Sequence, residues 1–229
     1  MNFAGLADRV IRVREVIRER QATGGWTHPV TIVAITKTHG PEAVRAAALA
    51  GLSAVGENRV QEALAKQDAV PDVPIDWHLV GTLQRNKARL AVGRFALIHS
   101  VDRLELAGEL HRRLPAGARQ AILVQVNCSA EPQKGGVEPD ALLELLAGVA
   151  QLDGLEVRGL MTMAALTDDE REQRRAFAML RDLRDASERE GYRLPELSMG
   201  MSADFGVAVE EGATIVRLGT VLFGERAYD

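Results

Sequence analysis

Thr31-Ile32-Val33-Ala34-Ile35-Thr36-Lys37-Thr38-His39-Gly40-Pro41 decides how this chain is read. The apolar run 31–35 is a buried strand, and Gly40-Pro41 turns the chain into the next helix. No G-x-G-x-x-G follows this first strand, so the dinucleotide fingerprint of an open doubly wound sheet is missing. Lys37 stands at the strand's mouth, where an α/β protein meets its ligand. Taken alone it is a snorkelling lysine with its ammonium in water. Residues near the other end of the chain change that reading.

Outward from 31–36, further strands are expected at 53–56, 75–80, 95–99, 120–127, 155–160, 195–198 and 214–217. Helical patterns fall between them, near 41–50, 58–67, 84–91, 102–113, 138–150, 169–190 and 204–211. An additional amphipathic helix runs from Phe3 to Gln21, with Leu6, Val10, Val13, Val16 and Ile17 at helical spacing. Thr23-Gly24-Gly25 ends it. Strand–helix alternation calls for parallel pairing, in a barrel or an open sheet. The missing fingerprint and the lack of any linker or composition shift favour one (β/α)8 barrel over residues 1–229. Closure would bring strands one and eight together and set Lys37 beside Arg217, which ends Thr214-Ile215-Val216.

Bulk properties narrow the function. The 229 residues are 46% apolar, enough for a substantial core. A formal charge of −4 argues against a dominant nucleic-acid surface. The one cysteine, Cys128, allows no intrachain disulfide and suits a reducing compartment. No C-x-x-C or His-rich spacing points to zinc. The first twenty positions carry Asp8, Arg9, Arg12, Arg14, Glu15, Arg18, Glu19 and Arg20, leaving no apolar signal-peptide core, and no apolar run is long enough to span a bilayer. The expected location is the cytoplasm, with no membrane partner.

Two late segments read as phosphate cradles. Ser198-Met199-Gly200-Met201-Ser202-Ala203-Asp204 leads from a short strand through small and hydroxyl residues into a helix. Leu218-Gly219-Thr220 follows the eighth strand. Each alone is explained by ordinary capping and turns. Jointly they flank Arg217 and close onto Lys37, where barrels of this kind bind phosphate. An amine, an arginine and a phosphate cup point to pyridoxal 5′-phosphate (PLP). The amine can form a Schiff base, and the phosphate needs several fixed donors. An arginine at the ring nitrogen donates a hydrogen bond yet discourages ring protonation, which weakens the electron sink.

With these residues in view, the chain closely resembles the pyridoxal phosphate homeostasis proteins, whose fold is similar to the alanine racemase barrel domain without its β-rich second domain. Val33-Ala34-Ile35-Thr36-Lys37-Thr38 resembles that family's cofactor-lysine strand. Val55-Gly56-Glu57-Asn58-Arg59-Val60-Gln61-Glu62 resembles its second motif, with Asn58 close to the cofactor. Trp77-His78-Leu79-Val80-Gly81-Thr82-Leu83-Gln84-Arg85-Asn86-Lys87 and His99-Ser100-Val101-Asp102 follow in family order. So do Asn127, Glu131, Lys134 and Gly135, then Gly159-Leu160-Met161-Thr162-Met163 and the two late segments. His39-Gly40 departs from the more usual lysine and proline. The resemblance covers about 5–226 and implies PLP bound through Lys37, Asn58, Ser198, Gly200, Met201, Ser202, Arg217, Gly219 and Thr220. It implies a TIM barrel that binds and buffers PLP or delivers it to apo forms of PLP-dependent enzymes, without catalysis of its own.

The alternative is a PLP-dependent racemase. Racemisation needs proton donors and acceptors on both faces of the substrate Cα. Lys37 can serve one face. In alanine racemase the other falls to a tyrosine acting with the partner's second domain, which this chain lacks. The only tyrosines here are Tyr192 and Tyr228. Lack of the second domain also points to a monomer. A sugar-phosphate barrel would explain the cradles but not a Lys37–Arg217 pairing. Elsewhere, His78 reads as a buried, hydrogen-bonded histidine, Glu57 as a partner for a cation, and Cys128 as an inert thiol. Met161, Met163, Met199 and Met201 read as packing around a ring-sized cavity. Gln84, Asn86 and Lys87 suit a helix start, an anion site or a partner surface equally.

Overall fold

The computed structural model describes residues 3–129, 131 and 135–224. Lys134 and Tyr228 therefore lie outside the described residues. Strands β1 (Thr31–Ile35), β2 (Ala54–Glu57), β3 (Asp76–Leu79), β4 (Leu97–Val101), β5 (Gln120–Gln125), β6 (Leu155–Met161), β7 (Glu196–Ser198) and β8 (Ile215–Leu218) form a closed parallel barrel in sequence order. Helices α1 (Leu6–Gly24), α2 (Pro41–Leu49), α3 (Val60–Ala69), α4 (Ala88–Ala91), α5 (Leu104–Arg113), α6 (Leu142–Ala150), α7 (Glu170–Arg189), α8 (Phe205–Glu210) and α9 (Thr220–Phe223) surround it. This is the expected (β/α)8 barrel with an extra N-terminal helix.

Two cores follow from the strand period of two. Val33, Ile35, Ala54, Leu97, Leu123, Met161 and Ile215 pack together inside the barrel. The opposite strand faces, including Ile32, Ala34, Val55, Ile98, Ile122, Leu160, Leu197 and Val216, pack against the helices. Leu6, Val10, Val13 and Ile17 form the buried stripe of α1, which lies against α8 and α9. Trp26 Nε1 donates to the Glu210 carbonyl and ties the chain after α1 to the end of α8.

Several boundaries differ from expectation for identifiable reasons. The first helix continues through Thr23, whose hydroxyl donates to the Glu19 carbonyl, and stops at left-handed Gly25. The fourth strand lies two residues later than expected because its register is set by His78 opposite Leu97. Val126 leaves the β5 ladder for an isolated bridge to Val137. The pattern at 84–91 is a 3-10 turn, Arg85–Lys87, before the single-turn α4. The short helix α9 was not anticipated. None of the described helices is long and apolar enough to cross a membrane.

Arg217 is the third residue of β8, not the last. Strands β1 and β8 are neighbours as closure requires, but the register sets Arg217 opposite Val33. Lys37 lies four residues farther toward the mouth. The expected side-by-side pairing is corrected accordingly: Arg217 starts deep in the barrel and Lys37 stands at its rim.

Candidate cofactor site

Lys37 occupies the second position of a tight turn. The His39 amide donates to the Thr36 carbonyl at 3.1 Å, and Thr38 has a φ of 70°. A positive φ at the third turn position normally falls to glycine. A β-branched residue there is strained by about 1–3 kcal/mol. The Thr38 amide is held by Glu62 Oε1 at 2.8 Å. Thr36, on the other side, is fully buried and donates its hydroxyl to Glu57 Oε1 at 2.5 Å. Lys66 on α3 joins these contacts: its Nζ lies 2.7 Å from the Thr36 carbonyl, 2.6 Å from Glu57 and 3.0 Å from Glu62. Burial pushes the Glu57 carboxyl above its ordinary range, against the opposing pull of Lys66 and Thr36. For Glu62 burial pushes upward too, but the bonds from Lys66 and the Thr38 amide outweigh it and hold the carboxyl low. Glu57 thus has the cation partner expected of it.

Gly56 pairs with Ile35, and Asn58 and Lys37 each lie two residues beyond that pair. Asn58 is half-buried. It borders a cavity of about 440 Å³ whose wall includes Arg59, Thr82, Gln84 and Lys87. Gly81 closes its floor, since a Cβ there would lie 2.3 Å from the Asn58 carbonyl oxygen. Gln84 and Lys87 therefore face a polar cavity continuous with Asn58. Asn86, an exposed residue of the 3-10 turn, does not line it.

Deeper in the barrel, Arg217 is buried and uses both terminal nitrogens. Nη1 donates to Ser198 Oγ at 2.7 Å and Nη2 to the Thr162 carbonyl at 2.8 Å. Burial lowers its pKa to about 10, with Asp204 pulling it back up. The guanidinium stays charged at neutral pH. Ser198 Oγ also meets His99 Nδ1 at 2.9 Å, and His99 Nε2 meets His78 Nδ1 at 2.9 Å. Burial lowers His78 to about 4, against a weak pull from Asp76. Burial, then His78 and Arg217, hold His99 well below its usual value. Both imidazoles are neutral near pH 7. One consistent proton order has Arg217 donating to Ser198, Ser198 to His99, and His99 to His78.

This wire places Ser198 differently from its expected part in a phosphate cup: its fully buried hydroxyl serves Arg217 and His99. Of the remaining expected cup residues, Ser202 and Gly219 are brought together. Ser202 Oγ accepts the amides of Gly219 at 3.1 Å and Val221 at 3.4 Å, joining the loops after β7 and β8. Gly200 has a φ of 92°, and a Cβ there would sit 2.6 Å from Ala208 Cβ, so only glycine lets this loop pass α8. Its carbonyl accepts the Arg217 amide at 2.9 Å. The Met201 amide is engaged with Asp204 Oδ1 at 2.5 Å. Thr220 is exposed at the start of α9. The small-residue loops joined at Ser202, a buried guanidinium and an amine at the rim suit an aromatic aldehyde bearing a phosphate.

The other candidates fall outside this set. His78 is buried and hydrogen-bonded as expected. Cys128 is buried, and burial lifts its thiol to about 11 despite a bond with Thr162, so it is inert. Met161 and Met163 pack with the barrel interior, whereas Met199 belongs to the outer core. Tyr192 follows α7 and packs on that outer core, at the end of the barrel remote from Lys37. Sequence reasoning missed Lys66 and the joining role of His99. The Glu62–Lys66 spacing of four on a helix was the available signal for the first.

Known proteins similar to this chain identify its family. Residues 15–227 match the family described as alanine racemase, N-terminal domain. The chain is 44% identical over 224 residues to a pyridoxal phosphate homeostasis protein of Aquifex aeolicus, covering 96% of this chain and 98% of that one. It is 36% identical over 231 residues to the Escherichia coli protein of the same name, covering 97% of both. The structure of PipY from Synechococcus elongatus with PLP bound superposes with a TM-score of 0.85 at 39% identity, over 96% of this chain and all (100%) of that one. An alanine racemase of Clostridium difficile in complex with cycloserine shares the fold, with a TM-score of 0.75 at 13% identity, over 94% of this chain and 61% of the racemase. The chain belongs to the pyridoxal phosphate homeostasis protein family.

Proposed function

We propose that this protein binds PLP through Lys37 and serves intracellular PLP homeostasis, with residues 1–229 acting as one PLP-binding barrel domain. The observation that carries the reading is the placement of Lys37 on a braced turn above a buried, charged Arg217, in a chain whose relatives are named for PLP homeostasis. When bound, PLP supplies an aldehyde that condenses reversibly with a primary amine and releases water. The residues of the chain then divide the work. Lys37 offers the amine at the rim. Asn58 follows the end of β2, beside the polar cavity. Gly200, Met201, Ser202, Gly219 and Thr220 form the anion cup, whose two loops the Ser202 hydroxyl joins. Arg217 presents a fixed positive charge toward the ring nitrogen, and Ser198 holds that guanidinium in place.

The non-catalytic reading rests on the proton inventory. His78 and His99 are neutral, buried and committed to each other and to Ser198. Tyr192 is remote from the mouth. Around Lys37, the His39 ring packs against Phe3 and Phe223, and Glu57, Glu62 and Lys66 bond one another and the turn, so these described groups are committed elsewhere than the opposite face of a substrate Cα. The cytoplasm is the compartment that fits the chain, its partners being PLP and apo forms of PLP-dependent enzymes that receive it.

Borohydride reduction of the PLP-loaded protein followed by peptide mapping tests the assignment. The pyridoxyl group is expected on Lys37, and Lys37→Ala removes the reducible adduct and its visible absorption. Recovery of the label chiefly on another lysine overturns it.

A further inference from the structure

We infer that Lys66, acting through Glu57 and Glu62, is a positioning residue for Lys37: α3 clamps the backbone on both sides of that lysine. The inference deepens the reading of Lys37 as the PLP attachment point and rests on it. Lys66 is 5% exposed and Glu57 is fully buried. An ammonium in such a place costs solvation unless every proton finds an acceptor. Its three protons meet three oxygens: the Thr36 carbonyl, Glu57 Oε1 and Glu62 Oε1.

Those acceptors are not scattered. The Thr36 carbonyl belongs to the residue before Lys37. Glu57 also binds the Thr36 hydroxyl. Glu62 also takes the amide of Thr38, the residue after Lys37. The Thr36 carbonyl carries the turn's own bond from His39 as well. One ammonium thus fixes the turn that contains Lys37 without touching its side chain in any of these bonds. The turn needs the restraint, because Thr38 holds a positive φ that a β-branched residue avoids. Released from Glu62, Thr38 would relax toward negative φ and rotate the peptide that follows Lys37. The ammonium of Lys37 would then leave the position from which it reaches an aldehyde held in the cup. Attachment makes a carbon–nitrogen double bond at Nζ and expels the aldehyde oxygen as water, so its rate depends on the approach of Nζ. Phosphate binding does not depend on that approach.

That separation gives the test. Wild type, Lys66→Met, Lys66→Arg and Glu62→Ala are compared in three measurements. These are amide hydrogen exchange at Thr38, affinity for pyridoxine 5′-phosphate, and the rate of adduct formation with PLP. Pyridoxine 5′-phosphate carries the ring and phosphate but an alcohol in place of the aldehyde. Lys66→Met is expected to keep its affinity for this probe within about twofold. Its adduct should form at least about tenfold more slowly, as a displaced reacting group implies. Exchange at Thr38 accelerates, and Lys66→Arg restores part of both effects. Glu62→Ala, at the more exposed end of the clamp, gives the same pattern and decides the matter if Lys66→Met does not fold. Wild-type adduct rates and Thr38 exchange in both variants overturn the inference. So does a parallel loss of probe affinity and adduct rate, which marks a general structural role. A wild-type protein that forms no adduct on Lys37 defeats the PLP reading instead, and the exchange at Thr38 still tests the clamp.

Discussion

Ser198 and Arg217 are bonded inside the barrel, with the guanidinium Nη1 2.7 Å from the serine hydroxyl. Because His99 shares that hydroxyl, Ser198 links a charged donor to a pair of neutral imidazoles. Ser198→Ala leaves buried donors and acceptors on both sides unsatisfied. A stability loss of about 1–3 kcal/mol is expected in denaturant unfolding. Binding titrations should show pyridoxal phosphate and free pyridoxal weakened by the same factor, since the serine acts at the ring end through Arg217. A loss confined to the phosphorylated form would return Ser198 to the phosphate cup.

Gly219 gives the complementary outcome. Its φ of −115° lies outside the left-handed region, and a Cβ added there has Ile35 Cβ as its nearest side-chain atom at 3.7 Å. A larger side chain can therefore be carried by the fold, but it crowds the loops that Ser202 joins. Gly219→Leu is expected to weaken pyridoxal phosphate by about tenfold or more while leaving free pyridoxal within about threefold, a difference of over half a kcal/mol. Equal weakening in equilibrium titrations would mean that the phosphate lies elsewhere.

The buried histidines make stability depend on pH with a definite sign. Folding lowers His78 from 6.5 to about 4 and holds His99 well below 6.5. The unfolded chain therefore binds more protons as the pH falls. Stability present above about 6.5 is lost as the pH drops toward 4, by about 3 kcal/mol for His78 alone. Glu57 works in the opposite sense, because its raised value favours the folded state at low pH and that contribution fades as the pH rises through it. Comparing wild type with His78→Gln isolates the imidazole. Denaturant unfolding at pH 7.5 and 5 should show a larger loss for wild type than for the variant. Identical losses would mean that His78 does not titrate between those values.

Much of the architecture was legible because strand and helix periods survive in the sequence. The run 31–35 is buried on both faces, and α1 keeps a clean stripe from Leu6 to Ile17. Register was not legible, since it depends on how all eight strands tilt together. The placement of Arg217 opposite Val33 thus came as a correction. Of the site, Lys37 and the Gly200 and Gly219 loops announced themselves by residue type at strand ends. Lys66 did not, because a helical lysine four residues after a glutamate reads as a surface pair. Only the fold shows that pair turned inward onto Thr36. The Ser198–His99–His78 wire was hidden for a related reason. Its members come from three strands and meet only when the barrel closes.

The proton inventory leads to the last prediction: the PLP-loaded protein does not turn over amino acids at an enzymatic rate. Exchange of a substrate Cα proton requires a base at one face, and inversion requires a second group at the other. Lys37 supplies the first. The imidazoles of His78 and His99 are buried and held neutral, that of His39 packs against Phe3 and Phe223, and Arg217 is a charged donor that disfavours ring protonation. Alanine and serine, each in L and D form, are incubated with the loaded protein in deuterated water and followed by mass spectrometry and chiral chromatography. Deuterium incorporation should stay near the level of free PLP, while an added apo-enzyme gains activity as it takes PLP from the protein. Protein-dependent exchange or enantiomer conversion above about 1 s⁻¹, the lower end of ordinary enzymatic turnover, would make this barrel an enzyme. It would also mean that a proton donor reaches the open face from beyond the groups seen around Lys37.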